Sequence, residues 1–401
     1  MRSTVVAGVG MTSFGRFLER SLRDLCAEAV AAALADAGLA VGAAQRVFFG
    51  TAAAGLVTGQ EMIRAQASLR GTGLAGLPMV NVENACASGS TAFHLAWTSV
   101  ASGQCDVALV IGAEKLSHVD KQVSFAALGS GVDLDEPRPI GVGSGSIFMD
   151  IYAAKTRKWM AETGATAEDL ARVCVKSRRA GALNPQAQFR EETTVEAVLA
   201  SRTISAPLTL PMCSGIGDGA AALLVMDDVP ARRLGVPGVR IAACSLVSAA
   251  DDETAPICAV RSSREAYEQA GLGPADMEVA ELHDASAPAE LIHYENLGFC
   301  AVGDAGGLIR SGATDLGGRI SVNPSGGLLS RGHPVGATGV AQLVEIFVAI
   351  GTGDAEGDRP LLIPQHDVER IPRGRRQRDH AGIADIAVLE HRALGVREGV
   401  V

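Results

Sequence analysis

The sequence predicts an α/β protein with five layers, α-β-α-β-α, built from two duplicated mixed-sheet halves and an inserted loop domain. The first observation behind this prediction is an internal repeat, in which ADAGLAVGAAQRVFF is echoed by EQAGLGPADMEVAEL. The second is that each half contains a helix with apolar side chains on nearly every face, which indicates burial on all sides. Two such helices are covered when they lie side by side between two sheets that are each backed by outer helices.

The first half is predicted from alternating runs of strand-forming and helix-forming residues. Apolar residues alternate at Val80 and Val82 before a polar break, and a helix of small and apolar residues follows from Ala87. A helix predicted at residues 21–37 ends at Gly38, a favourable C-terminal cap. The remaining strands of this half are predicted at residues 4–9, 45–51, 106–111 and, after an insertion, 217–226.

The second half repeats this order of elements. Its helices are predicted at residues 264–270, closed by Gly271, and 337–350. Its strands are predicted at residues 240–244, 278–283, 318–323 and 360–364. The chain is therefore divided into an N-terminal half (1–113 plus 216–230), an inserted loop domain (114–215) and a C-terminal half (231–401). The insertion carries charged helices and Pro/Gly-rich turns, as regions that set specificity often do.

The composition favours a globular protein in a reducing compartment. Of the 401 residues, 47% are hydrophobic and 20% are charged, and the formal net charge is −10. This negative charge argues against nucleic acid as a partner, and no apolar run reaches the roughly 18 residues of a membrane span. The eight cysteines are scattered without a C-x-x-C pair, which disfavours both disulfides and a metal site. With no recognisable signal peptide, we expect a cytoplasmic protein.

Cys86 is the first candidate catalytic residue, because it lies where a predicted strand turns into a buried helix. The N–H groups at a helix N-terminus favour negative charge, so this position is expected to lower the pKa of the thiol. A strand, a turn with a nucleophile and a buried helix are together typical of covalent acyl transfer. Taken alone, Cys86 is better interpreted as a small buried residue, as most free cysteines are; the rest of the chain reverses that preference.

His333 opens the second buried helix at the position where Cys86 opens the first. A pseudo-twofold relation between the halves would bring the two helix N-termini together, and His333 could then take the thiol proton and donate to an oxyanion. His283 and Asp284 follow a predicted strand end in the second half. The alternatives are a capping or core role for His333 and a buried structural pair for His283 and Asp284.

Four blocks of sequence resemble the thiolase superfamily, in its sterol-carrier-protein branch and that branch's bacterial lipid-transfer relatives. The blocks are VENACASGSTA, DGAAA, ELHDASAPAELIHYENLGFC and NPSGGLLSRGHPVGATG. Residues 182–210 also resemble the loop domain of that branch, so the resemblance runs from about residue 4 to about residue 364. It implies a thiolase-like fold, acyl-CoA substrates with coenzyme A as co-substrate, and neither a bound cofactor nor a metal. It also implies a homodimer or dimer of dimers, with a small OB-fold protein as a candidate partner subunit.

The resemblance further implies roles for individual residues. Cys86 matches the nucleophile that takes an acyl group from CoA, and its backbone N–H would serve one oxyanion hole. His333 matches the histidine that activates this cysteine and donates to the other oxyanion hole, which His283 supports. Asn323, in the NPSGG block, is a further candidate site residue.

The sequence departs from the family pattern in two places. The family keeps a second cysteine as acid/base catalyst where this chain has Ala285, whose methyl group cannot move a proton. His366 and Tyr294 are candidates for that role, although Tyr294 is better interpreted as a buried structural residue. Residues 365–381 form an Arg-rich segment where the family has a Gly-rich loop, which leaves open a flexible basic loop, a contact to the CoA phosphates or a damaged site.

Three functions follow from these observations. The favoured one is a thiolase-type acyl-CoA C-acyltransferase, acting through an acyl-cysteine in lipid or steroid side-chain metabolism. The second is a retro-aldol C–C lyase on 3-hydroxyacyl-CoA, which does not need a cysteine at position 285. The third is an acyl-CoA-binding subunit with little catalysis, and the joint presence of Cys86, His283 and His333 argues against it.

Overall fold

The computed structural model describes residues 1–132, 144–236, 238–250 and 254–350. Its strands are β1 (Thr4–Met11), β2 (Arg46–Gly50), β3 (Met79–Val82), β4 (Val107–Glu114), β5 (Thr203–Ser205), β6 (Leu208–Thr209), β7 (Gly219–Asp227), β8 (Val239–Arg240), β9 (Val279–Ala280) and β10 (Ser321–Val322). Its helices are α1 (Leu22–Asp36), α2 (Ala54–Thr58), α3 (Arg64–Ser68), α4 (Ser88–Ala101), α5 (Lys121–Gly129), α6 (Ile147–Thr163), α7 (Ala167–Leu183), α8 (Val195–Ala200), α9 (Asp228–Leu234), α10 (Cys258–Ala270), α11 (Ala287–Asn296), α12 (Ala305–Arg310), α13 (Gly327–Ser330) and α14 (Thr338–Ile350). The strand predicted at residues 360–364, the Arg-rich segment 365–381 and His366 lie outside the described residues.

Six strands form one mixed sheet in the order β3-β2-β4-β7-β1-β8. Strands β3, β2 and β4 run parallel, whereas β7 is antiparallel to both β4 and β1. Every residue of β4 and β7 is buried, as their nearly continuous apolar runs predict for strands that are covered on both faces. This sheet therefore needs a helical layer on each side.

Helix α1 covers one face of the sheet, and α4 and α14 cover the other. Helix α1 packs very closely on β1, since a Cβ on Gly10 would lie 2.4 Å from the backbone nitrogen of Ala33. On the opposite face, Phe93 of α4 and Val340 of α14 share one hydrophobic core with Val110 of β4. The two apolar helices thus lie side by side in a central layer, as the fold class requires.

Two predicted elements differ in detail from the described structure. In α4, Phe93 is fully buried but Leu95 is 37% exposed. In the strand predicted at residues 240–244, β8 ends at Arg240; the N–H of Ile241 still donates to the carbonyl of Thr4 at 3.0 Å, and the N–H of Cys244 donates to the side chain of Gln269 at 3.4 Å.

The inserted region packs against the second half of the repeat. In that half, β9 and β10 form a parallel pair. Leu170 and Cys174 of α7 share a hydrophobic core with Leu291 of α11 and Leu329 of α13. The predicted domain limits stay a prediction, but α7 is anchored in the interior and does not stand apart as a surface loop. None of the described helices is long and apolar enough to cross a membrane.

Candidate active site

Cys86 lies in a tight turn between β3 and α4. The chain passes through a 3-10 turn at Ala85–Ala87 before α4 begins. Ala85 has φ = 44°, a left-handed value that is uncommon for a residue with a Cβ. The hydroxyl of Ser88 fixes the turn, accepting from the N–H of Asn84 at 2.9 Å and donating to the carbonyl of Ala85 at 2.7 Å. Cys86 is consequently held partly exposed at the start of α4.

His333 lies in the loop before α14, with its Nε2 3.5 Å from the Sγ of Cys86. Its Nδ1 lies 2.7 Å from the Oγ1 of Thr338, and that hydroxyl donates its own proton to the carbonyl of Pro334 at 3.1 Å. Because the proton of the hydroxyl is already engaged, its oxygen accepts from the imidazole, and neutral His333 carries its proton on Nδ1. The lone pair on Nε2 then faces the thiol, as a base faces its nucleophile.

His283 completes the cluster on the other side of His333. The two imidazole rings meet edge to face with their centroids 5.1 Å apart, and one nitrogen from each lies within 4.8 Å of the other and of the Sγ of Cys86. Burial and the guanidinium of Arg331 lower the pKa of His283 to about 4. His283 is therefore neutral at pH 7 and offers one N–H donor. The structure brings together all three residues to which the sequence assigned catalytic roles; those roles stay predictions.

The carboxylate of Glu114, at the end of β4, connects the His333 loop to the first sheet. It is fully buried and accepts from the N–H groups of Gly336 at 2.8 Å, Ala52 at 3.1 Å and Ala53 at 3.3 Å. Gly336 is needed for this close approach, because a Cβ there would lie 2.6 Å from the Cα of Thr51. Three N–H donors offset part of the cost of burying the carboxylate, and together they fix the loop.

The segment that follows β9 is tied to its surroundings in the same way. Asp284, which is fully buried, accepts from the N–H of Leu328 at 2.7 Å, in the helix α13 that leads into the His333 loop. The N–H of Ser214 donates to the carbonyl of Ala285 at 3.1 Å. The loops that carry the two histidines are thus held by backbone hydrogen bonds to buried acceptors.

The expectation that the helix N-terminus lowers the pKa of Cys86 is wrong. Burial of the sulfur, reinforced by the carboxylates of Glu114 and Glu83, raises the pKa of Cys86 to about 12. A hydrogen bond from the backbone of Cys86 itself offsets only part of this effect, because desolvation of a thiolate outweighs a partial helix charge. At pH 7 the thiol is protonated, so it needs the Nε2 of His333 to remove its proton as it attacks.

Two other candidate residues, Tyr294 and Asn323, are not part of this cluster. Tyr294 is fully buried with its hydroxyl donated to Glu290, and burial raises its pKa well above the usual value. This supports its interpretation as a structural tyrosine. Asn323 accepts from the N–H of Leu282 at 2.7 Å and donates to Glu290 at 2.7 Å. Asn323 therefore positions the backbone just before His283 and does not itself contact the reacting atoms.

The cysteine and the two histidines also have the composition of a metal site. Sulfur and imidazole are zinc ligands, and within the described part of the chain Cys86, His283 and His333 are the group whose ligand atoms lie close enough to share one ion. An ion held there would engage the sulfur lone pair that attacks a carbonyl. Binding of zinc and acyl transfer would therefore exclude each other at this cluster.

Side chains of α6 and α11 reach the same region, and they were missed from the sequence. Burial, with a smaller contribution from Cys86, raises the pKa of the Tyr152 hydroxyl. Burial, followed by His283 and Lys155, lowers the pKa of His293. The signal that could have identified this face is the lysine itself, which interrupts an otherwise buried stripe of the helical segment IFMDIYAAKTRKWM.

Comparison with known families assigns the protein. Residues 4–205 match the thiolase N-terminal domain, and residues 242–357 match the thiolase C-terminal domain-like family. The chain belongs to the thiolase family. The resemblance inferred from the sequence blocks is thereby confirmed, together with the five-layer α/β fold class.

Individual relatives come from several branches of the thiolase family. Benzoylsuccinyl-CoA thiolase subunit BbsB of Thauera aromatica is 38% identical over 353 residues, which cover 85% of this chain and 87% of the relative. An acetyl-CoA acetyltransferase of Methanocaldococcus jannaschii is 38% identical over 373 residues, 90% of this chain and 93% of the relative. Sterol carrier protein 2 of Gallus gallus is 34% identical over 86% of this chain, which spans 65% of that longer protein. These relatives identify the protein as an acyltransferase of the thiolase type.

A solved structure resembles this thiolase fold closely. It is a chain of the Ltp2-ChsH2(DUF35) aldolase, with a TM-score of 0.70, 29% sequence identity, and coverage of 86% of this chain and 88% of the other. The same fold therefore occurs in a protein that is described as an aldolase.

Proposed function

We propose that the protein transfers acyl groups between CoA thioesters through an acyl-cysteine at Cys86, in lipid or steroid side-chain metabolism. The observation that supports this most directly is the 3.5 Å contact between the Sγ of Cys86 and the Nε2 of His333. Thr338 holds His333 in the tautomer that accepts a proton. Coenzyme A is then a co-substrate, and the transfer requires no bound cofactor.

In acyl capture, the thiol proton of Cys86 passes to the Nε2 of His333 while the sulfur attacks the thioester carbonyl carbon. The carbonyl oxygen becomes an oxyanion, stabilised by the backbone N–H of Cys86. The bond from this carbon to the CoA sulfur breaks, and the departing thiolate takes the proton from His333. The acyl group remains on Cys86 until a CoA-linked carbanion or a CoA thiol removes it. During that second step, the N–H of His283 donates to the carbonyl oxygen of the other thioester, while the Nε2 of His333 is again free to accept a proton.

The test is the mass of the intact protein after incubation with acetyl-CoA and longer acyl-CoA esters. We expect an increase equal to one acyl group, and its loss in Cys86→Ser, because a hydroxyl is a far weaker nucleophile than a thiol beside a base. Cys300→Ser is the matched control, since Cys300 is also a partly exposed free cysteine. An acyl adduct that persists in Cys86→Ser would remove Cys86 from the mechanism.

The likeness to the Ltp2-ChsH2(DUF35) aldolase and the alanine at position 285 favour a second candidate, retro-aldol cleavage of a 3-hydroxyacyl-CoA. A base would take the proton of the 3-hydroxyl group, and the bond between C2 and C3 would break. The products are a carbonyl compound and a CoA enolate, which is then protonated. This reaction also needs a bound CoA thioester, but it does not need an acid/base thiol at position 285.

Ala285→Cys separates the two candidates. If acyl transfer is the function and its usual acid/base thiol is missing, thiolysis of a 3-ketoacyl-CoA is slow in the native protein and rises in the variant. A positioned acid or base typically contributes ~10²–10⁴-fold in rate. Cleavage of a 3-hydroxyacyl-CoA should not respond to the substitution. Brisk native thiolysis that Ala285→Cys leaves unchanged would mean that another residue carries the proton.

For assembly, we propose a homodimer or a dimer of dimers, with a small OB-fold protein as a candidate further subunit. Strand β3 is at the edge of the six-stranded sheet, and its Val80 is 43% exposed. An open edge strand favours pairing with a second copy. The related aldolase chain is named together with ChsH2(DUF35). Light scattering at micromolar concentration tests the dimer, and a monomeric mass would contradict it.

A further inference from the structure

Helices α6 and α11 carry two polar side chains, Lys155 and His293, and His293 lies within electrostatic reach of His283 in the cysteine–histidine cluster. The helices are joined by the Nε1 of Trp159, which donates to Glu295 at 3.1 Å. Lys155 lies one turn before Trp159 on the buried stripe of α6 and is itself partly buried. His293, on α11, is 5% exposed. Neither residue belongs to the Cys86 mechanism described above.

Both side chains present hydrogen-bond donors. The side-chain amide of Asn296 donates to the Nδ1 of His293 at 3.2 Å, so neutral His293 carries its proton on Nε2. That Nε2 is buried and has no hydrogen-bond partner among the described residues. Lys155 forms no salt bridge with any of the described residues. A buried N–H and a partly buried ammonium thus lack an acceptor among the described residues, and the ligand that matches them is an acceptor.

The charges around these donors favour an anion. Burial lowers the pKa of Lys155 to about 8, and among the described groups the one that pulls it upward is the thiol of Cys258, not a carboxylate. Burial, His283 and Lys155 together lower the pKa of His293 to about 3. His293 therefore lies within electrostatic reach of both His283 and Lys155. A cation that is partly removed from water and has no acid partner gains most from a ligand that brings the negative charge.

We propose that Lys155 and His293 form a carboxylate-binding subsite next to Cys86, and that the preferred substrates are CoA thioesters whose acyl chain carries a second, ionised carboxylate. The ammonium of Lys155 pairs with the carboxylate, and the Nε2–H of His293 donates to one of its oxygens. This inference rests on the proposed acyl transfer at Cys86 and names its substrate class. An acyl group with a neutral tail leaves both donors without an acceptor, which the site penalises.

The first experiment measures binding alone, in the Cys86→Ser background where no acyl-enzyme forms. Succinyl-CoA and butyryl-CoA are compared by calorimetry at pH 7, because their four-carbon acyl groups differ only in the terminal carboxylate. We expect succinyl-CoA to bind at least ~10-fold more tightly, since hydrogen bonds to charged groups are worth ~10–150-fold in affinity. Adding Lys155→Met removes that preference. Adding Lys158→Met preserves it, because Lys158 is on the same helix with its side chain 79% exposed.

The second experiment measures the rate of acyl-cysteine formation with the same two thioesters in the protein that retains Cys86. A preference for succinyl-CoA that Lys155→Met abolishes and His293→Phe reduces supports the subsite. Equal binding of the two thioesters overturns the subsite, whether or not an acyl adduct forms. Selective binding of succinyl-CoA without any adduct on Cys86 would instead contradict the proposed acyl transfer and leave the subsite supported. The two proposals can therefore fail separately.

Discussion

The N-terminal turns of α4 and α14 have a similar local structure, but the turn of α14 is more buried and more firmly hydrogen-bonded. Each helix follows a 3-10 turn, Ala85–Ala87 in one case and Val335–Ala337 in the other. The turn of α4 has a positive φ at Ala85 and leaves Cys86 partly exposed. The turn of α14 is buried throughout and receives the carboxylate of Glu114 at Gly336.

This difference matches what each residue is proposed to do. A nucleophile must meet a substrate carbonyl, so Cys86 needs an open side. A base must keep one nitrogen directed at the thiol, so His333 needs a fixed ring and a fixed tautomer, which Thr338 supplies from the first turn of α14. Duplication of one structural unit thus yields two helix starts with different tasks. The start of α4 presents the nucleophile and is called the presenting end; the start of α14 fixes the base and is called the holding end. The predictions below test that division, starting with the largest expected effect.

His333→Ala removes the base from the holding end. We expect turnover to fall by roughly 10²–10³-fold, within the range that a positioned acid or base contributes. Substrate affinity should change much less, because the histidine acts mainly as charge develops. Steady-state kinetics with an acyl-CoA separate kcat from KM. A change confined to KM would contradict the assigned role.

Thr338→Val keeps the volume of the side chain but removes the hydroxyl that holds the Nδ1 of His333. We expect kcat to fall by about tenfold, the kinetic equivalent of one ordinary hydrogen bond, while the affinity for acyl-CoA is retained. Thr98→Val is the matched control, since Thr98 also donates to a carbonyl four residues earlier but lies on the exposed side of α4. Equal effects of the two substitutions would indicate a helix-stability effect and not an orientation effect.

The central layer and the proximity of its two helix starts could be predicted from the sequence. The electrostatic properties of the site could not. The repeat and the two apolar helices predicted the central layer, and hence the proximity of Cys86 and His333. The sign of the pKa shift at Cys86 was wrong because it depends first on burial of the sulfur by tertiary packing, and then on Glu114, which lies 28 positions away in the chain. Lys155 and His293 were missed for a similar reason, since the packing of α6 on α11 is set by tertiary structure and not by local pattern.

Glu114→Gln tests that electrostatic link. The amide can still accept from the N–H of Gly336, but it carries no charge, so one of the causes that raise the pKa of Cys86 disappears. We expect the pKa of the thiol to fall and its alkylation by iodoacetamide at pH 8 to become faster. The rate of alkylation against pH measures the shift directly. An unchanged profile would mean that burial alone sets the pKa of Cys86.

The last prediction concerns the pH dependence of stability that the buried His293 causes. Burial lowers the pKa of His293 from its ordinary value of 6.5 to about 3, so the unfolded chain binds a proton on acidification that the folded protein does not. The contribution of His293 to stability is therefore present above pH 6.5 and is lost as the pH falls from 6.5 towards 3, by about 1.4 kcal/mol for each pH unit. His293→Gln has no group to protonate there, so its free energy of unfolding should fall less steeply than that of the native protein. Urea unfolding of both proteins at pH 7, 6 and 5 gives the difference, in which carboxyl groups that titrate in the same range, such as Glu281, cancel. Parallel curves would mean that His293 has the same pKa in the folded and the unfolded chain, and that burial does not lower it.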